Sequence, residues 1–233
     1  MRRLVAAPAW VLLGALLLAA CAGQDVPTSD VVGTIPWRDS ESLSYRLTDK
    51  SGAVVGRETL RVQVKGPMTE LGQSFTGDPN TDKSVVVADS KTLKPQSATR
   101  EVVTRQNGEK IEVTYSEQGV LIKQNEKQSG LSVPEHSYDN DSSLFLWRAV
   151  TFVEGFKADY YTVVTGSGEQ QLVHMEVKRK ERITVPAGTF DTWRLQVRAE
   201  GVNQVVWYAD TPERPLVQYD NSIQLFQLTS LRQ

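Results

Sequence analysis

Few residues of this 233-residue chain stand where reactive side chains could cooperate. Its single cysteine, Cys21, follows Leu18-Ala19-Ala20 at the end of an apolar run from Trp10, with Arg2 and Arg3 ahead of it. A basic start, a short apolar stretch and small residues form the grammar of a cleaved secretory signal over residues 1–20. The run is too short to span a bilayer. The two histidines offer less. His174 alternates with Glu176 and Lys178 on a polar face, which reads as a solvated position. His136 lies in Pro134-Glu135-His136-Ser137, where a zinc site would find neither a free cysteine nor a nearby histidine. No His-Glu-x-x-His, Gly-x-Ser-x-Gly, phosphate-binding loop or dinucleotide fingerprint occurs, and Gly166-Ser167-Gly168 reads as a hairpin turn. The 28 acidic residues offer accidental carboxylate pairs, and no spacing singles one out. The sequence therefore predicts a non-enzyme without catalytic residues, cofactor or metal.

What remains is the thiol. Leu18-Ala19-Ala20-Cys21 matches the lipidation signature of bacterial lipoproteins, which implies cleavage before Cys21 and a diacylglycerol on its sulfur. Two or three acyl chains anchor a protein stably where one does not. The expected location is the bacterial cell envelope, lipid-anchored and facing the periplasm or the exterior, with the membrane as a partner. Ala22, not being aspartate, resembles the outer-membrane default of a two-membrane cell.

Removing Arg2 and Arg3 with the signal leaves 24 basic against 28 acidic side chains, a net charge near −4. The densest basic run, Lys178-Arg179-Lys180, is flanked by Glu176 and Glu181, so nothing suggests a nucleic-acid partner. With Cys21 spent on lipid no intrachain disulfide is available, and a hydrophobic core must hold the chain together. Residues 21–41 carry Gly, Pro, Ser and Asp at close intervals and are expected to form a lipidated flexible tether.

From residue 42 to 233 a single β-domain is expected. Leu43, Tyr45 and Leu47 alternate with polar neighbours, Asp49-Lys50-Ser51-Gly52 offers a turn, and Leu60, Val62 and Val64 resume the period of two. The pattern recurs at Ile111–Tyr115, Val173–Val177, Trp193–Val197 and Val205–Ala209, for ten to twelve antiparallel strands in all. Gly72 to Asn80 reads as a loop. Asp139 to Ser143 supplies candidate caps before Leu144-Phe145-Leu146-Trp147-Arg148-Ala149-Val150-Thr151-Phe152, which predicts a buried helix of about ten residues.

Ile183-Thr184-Val185-Pro186-Ala187-Gly188-Thr189-Phe190-Asp191-Thr192-Trp193, then Val206-Trp207-Tyr208-Ala209-Asp210, resemble a bacterial envelope family named domain of unknown function 3108. Tyr45-Arg46, Val55-Gly56 and Asp89-Ser90-Lys91-Thr92-Leu93-Lys94-Pro95 extend the resemblance over about residues 43 to 219. It implies a mainly β fold: a strongly curved antiparallel sheet, a half-barrel or open barrel similar to lipoprotein carriers of the Lol type, with one short buried helix. The motif Val185 to Asp191 itself reads as a turn, since Pro186 presets φ and Gly188 accepts positive φ.

Two functions fit. A curved sheet must cover its concave face, so Tyr45, Leu60, Val62, Trp193, Leu195 and Trp207 are candidate contacts for a lipid or other hydrophobic small molecule. Alternatively Phe145, Trp147 and Phe152 plug that face. The chain is then an interaction or assembly module for an envelope protein partner, through sheet edges or the segment Thr76 to Lys83.

Overall fold

The computed structural model describes residues 30–232 except 38 and 135. Cys21, the signal and residues 21–29 of the expected tether lie outside the described residues. The alternating segments form β1 (Glu41–Asp49), β2 (Val54–Lys65), β3 (Met68–Gly77), β4 (Asn80–Asp89), β5 (Pro95–Val103), β6 (Gly108–Ser116), β7 (Gly119–Gln124) and β8 (Lys127–Leu131). After β9 (Ser137–Asp139) and a helical segment come β10 (Lys157–Val164), β11 (Glu169–Val185), β12 (Gly188–Ala199), β13 (Val202–Ala209), β14 (Leu216–Asp220) and β15 (Gln224–Arg232).

All fifteen belong to one sheet. Its order runs from β8 back to β1, crosses to β15, and runs back again to β9, so the first and last strands pair in the middle. Every pairing is antiparallel except β9 with β10. The sheet curls strongly: Tyr115 on β6 hydrogen-bonds Asp139 on β9 although these strands stand near opposite edges. The edges β8 and β9 share no ladder, which leaves an open barrel.

Three expectations change. Gly72 to Gly77 is not a loop but the second half of β3, laddered to β2 and β4, with a tight turn at Asp78-Pro79 before Asn80 opens β4. Its polar face conceals the alternation, while Phe75 packs so closely over Gly56 that a Cβ there would stand 2.5 Å from the ring. Thr76 to Lys83 is accordingly a β-hairpin tip.

The ten-residue helix is instead three joined short turns, a 3-10 turn at Asn140–Ser142, α1 (Ser143–Leu146) and a 3-10 turn at Trp147–Ala149. Val150 is already extended, with ψ at 170°.

The tether is shorter than residues 21–41. Val31, Pro36 and Trp37 are buried, and the backbone N–H groups of Gly33 and Thr34 both donate to the Ala149 carbonyl. Gly33 permits this approach, since a Cβ would stand 2.6 Å from Thr151 Oγ1. Apolar side chains among Pro and Gly thus dock the segment onto the end of the helical turns.

Candidate functional site

The concave face is filled from within. Tyr45, Leu60, Val62 and Leu195 point inward and are buried, and Phe145, Leu146 and Trp147 project from the helical segment into the space they enclose, at 1, 0 and 4% exposure. Polar tips are paired: Trp147 Nε1 donates to Tyr160 Oη at 2.6 Å, Tyr208 Oη to the Leu144 carbonyl at 2.6 Å, and Tyr45 Oη to the Leu216 carbonyl at 3.0 Å. A buried hydroxyl or indole without such a partner would cost what the ring gains.

The other predicted contacts divide. Phe152 and Trp193 meet at the rim, 6.2 Å apart, and Trp193 Nε1 donates to Asp210. Trp207 lies on the outer face, opposite Arg194 and donating to Glu181 Oε2, while its neighbours Val206 and Tyr208 are the buried pair. Val205-Val206-Trp207-Tyr208 is apolar on both faces, so a period of two cannot choose its parity.

Where the sheet fails to close by ladder it is joined by side chains. Asp139 accepts from Tyr115 Oη at 2.6 Å and caps the helical segment through the Asp141 N–H at 2.8 Å. Asp141 accepts from Arg100 on β5 at 3.4 Å and from Thr165 at 3.3 Å, and its carbonyl accepts from Gln73 Nε2 on β3. Arg100 grips Asp82 with two hydrogen bonds, at 3.0 and 2.6 Å. Burial raises both aspartates from their ordinary value, and the charge of Asp141 raises Asp139 further. This seam consumes the carboxylates structurally.

Glu58 stands one strand away, at the inward parity of Leu60 and Val62. It is 4% exposed, and its Oε1 is buried without a hydrogen-bond partner. Burial pushes its pKa up to about 8; the Ser74 backbone N–H opposes the rise and the Asp82 charge adds to it. An acid in the pattern Glu-x-Leu-x-Val was the available sequence signal.

At the end of the barrel bearing residue 30, Arg148 closes the helical segment. It is 1% exposed, pairs both guanidinium ends with Glu41, and donates from Nε to the Glu213 carbonyl at 2.8 Å. One buried cation thereby fixes β1 and the loop before β14. Between these walls lies an open cleft of about 510 Å³, reaching Thr34, Trp37, Asp39 and Pro212.

The histidines hold no common site. His174 Nδ1 meets Asp159 at 2.7 Å on the outer face, and His136 Nδ1 meets Asp30 at 3.2 Å. Among the described residues no group of three or more His, Cys, Asp or Glu side chains is placed to hold a metal ion. No helix among them is long and apolar enough to cross a membrane.

An open, internally plugged β-barrel with its edges joined by buried polar side chains defines the architectural class. The chain belongs to the DUF3108 family, described as protein of unknown function, whose model matches residues 41–223. The motifs at Tyr45, Val55, Asp89 and Pro186 had pointed to it. The crystal structure of a β-barrel-like protein of domain of unknown function DUF1849 from Brucella abortus has the same fold: its TM-score is 0.57 at 8% identity, covering 85% of this chain and 98% of that one. A Bacteroides fragilis protein with a YmcC-like fold aligns at a TM-score of 0.33 and 10% identity over 87% of this chain and 100% of its own, too distant to bear on this architecture. A search of curated proteins returns no match.

Proposed function

We propose that the chain is a non-catalytic interaction module of the bacterial cell envelope, held at a membrane by lipid on Cys21 and contacting a protein partner through its outer surface. The observation that carries this reading is the filled interior. Phe145, Leu146 and Trp147 occupy the space an acyl chain would need. Each would have to give up its burial, at roughly 1.5–3 kcal/mol per side chain, and Trp147 its hydrogen bond to Tyr160, before a ligand gained anything. Asp139, Asp141, Arg100 and Glu41 are engaged in the seam or in Arg148's pair, and the two histidines are paired apart from each other with Asp30 and Asp159. The small-residue run before Cys21 supports the anchor.

Cross-linking in intact cells followed by affinity purification tests it, paired with native mass spectrometry of the protein extracted from its membrane. One dominant protein partner and the mass of the acylated chain alone are expected. A stoichiometric extractable lipid, with no partner captured, overturns the reading in favour of a carrier.

A further inference from the structure

We propose that the cleft beside Trp37 receives an extended peptide segment of the partner carrying a lysine or arginine. This rests on the interaction-module reading and names what that module recognises. Two independent observations meet there. Trp37 lines the cleft and is 5% exposed, yet its indole Nε1 is buried without a hydrogen-bond partner. A folded chain tolerates an orphaned buried donor only at a cost, and an occupant whose entry shifts the Trp37 ring enough for a carbonyl oxygen to reach Nε1 would relieve it. The second observation is charge. Asp39 and Glu213 stand exposed on opposite walls, and neither forms an ion pair among the described residues, whereas Glu41 between them is neutralised by Arg148.

The shape favours a peptide over a compact molecule. The cleft shares Glu213 with a second hollow bearing Phe190, Leu228 and Leu231, and shares Ser40 and Glu41 with a third bearing Arg61 and Arg232. The three hollows adjoin through these shared residues, and their lining is mainly apolar in the second, carries Asp39 and Glu213 in the first, and carries Arg61 and Arg232 in the third. An extended segment laid along them places a hydrophobic side chain at Leu228, a cation between Asp39 and Glu213, and an acidic group near Arg61. The chain's own residues 22–29, Ala-Gly-Gln-Asp-Val-Pro-Thr-Ser, contain one acid and no base, so they do not complement the acidic centre. Arg148 is a positioning residue, because its bonds to Glu41 and the Glu213 carbonyl hold both walls.

The test is fluorescence anisotropy with labelled octapeptides, valine-rich with one central lysine and a downstream glutamate, against matched peptides in which norleucine replaces the lysine. The lysine peptides are expected to bind at least ~10-fold more tightly. Asp39→Asn with Glu213→Gln should abolish that preference without changing Tm. Trp37→Phe should weaken binding ~5-fold or more while leaving Tm equal or higher, since it removes the orphaned donor but keeps the packing. Equal affinity for the two peptide sets overturns the assignment, as does binding that appears only after deletion of residues 22–29, which would make the chain's own segment the occupant. If the cellular partner is still captured by Asp39→Asn/Glu213→Gln, the cleft assignment falls and the interaction reading stands. If no partner is captured by the unaltered protein, that reading falls.

Discussion

Glu58 places an acid where the sheet otherwise buries Leu60 and Val62, and it stays neutral there because ionisation would strand a charge away from water. Its carboxyl is raised from 4.5 to about 8, so the folded state holds a proton that the unfolded state releases from pH 4.5 upward. Stability from this group is complete below pH 4.5 and is lost as the pH rises to about 8. Glu58→Gln keeps an acceptor for the Ser74 N–H and carries no charge, so the variant should match the parent at pH 4 and exceed it at pH 9. The gain should be a few kcal/mol, since each tenfold change in proton affinity between the folded and unfolded chain is worth roughly 1.4 kcal/mol. Urea denaturation at the two pH values measures it, and an equal gain at both would rule out the proton as its source. Arg148 gives the opposite lesson. Arg148→Met leaves the buried Glu41 carboxylate without its cation and should cost ~3–5 kcal/mol. Adding Glu41→Gln should restore much of that in the same denaturation measurement, because the penalty lies in the unpaired charge.

At the scale of elements, the helical segment does what a closing ladder would do elsewhere. It fills the concavity, and its first residues tie β5 and β6 to β9 through Arg100, Tyr115, Asp139 and Asp141. Phe145→Ala should cost ~3–5 kcal/mol, as expected for emptying an enclosed site. Tyr115→Phe should act more locally, costing ~1–3 kcal/mol and leaving a buried carboxylate short of a donor. Hydrogen exchange should then quicken in β7 to β9 while amides of β1 and β15 keep their protection; uniform loss across the sheet would mean that the seam is not a separate unit. The β architecture was legible because most strands are wet on one face, so residue type alternates with burial. Three elements resisted for separate reasons. β3 hides behind Gly72, Ser74 and Thr76; β13 reads as a strand, but being apolar on both sides it leaves the direction of Trp207 open; and the tether's docked half carries its signal in Val31, Pro36 and Trp37 among Gly and Ser. The seam was invisible for a different reason: Arg100 and Asp141 are 41 residues apart, and only the curl of the sheet brings them together.

For the whole molecule, the docked segment gives the proposed lipid anchor a preferred orientation to test. Asp30 is held by Lys94, His136 and Tyr138, at the end of the barrel that also carries the Trp37 cleft and the turn before β5. From Cys21 to Asp30 the chain can extend about 30 Å at ~3.3–3.6 Å per residue, comparable to the height of the barrel. Cys21→Ser should move the protein to the aqueous phase of a detergent partition with its Tm unchanged. In the lipidated protein, the Trp37 cleft should face the bilayer and meet partners close to it, while the β1–β2 turn points away. Fluorophores on Lys91→Cys and on Lys50→Cys, reconstituted in vesicles with an acceptor lipid, should separate the two ends. Transfer from position 91 should exceed transfer from position 50. The reverse order would place the cleft away from the membrane and break the link between the short tether and the surface it presents.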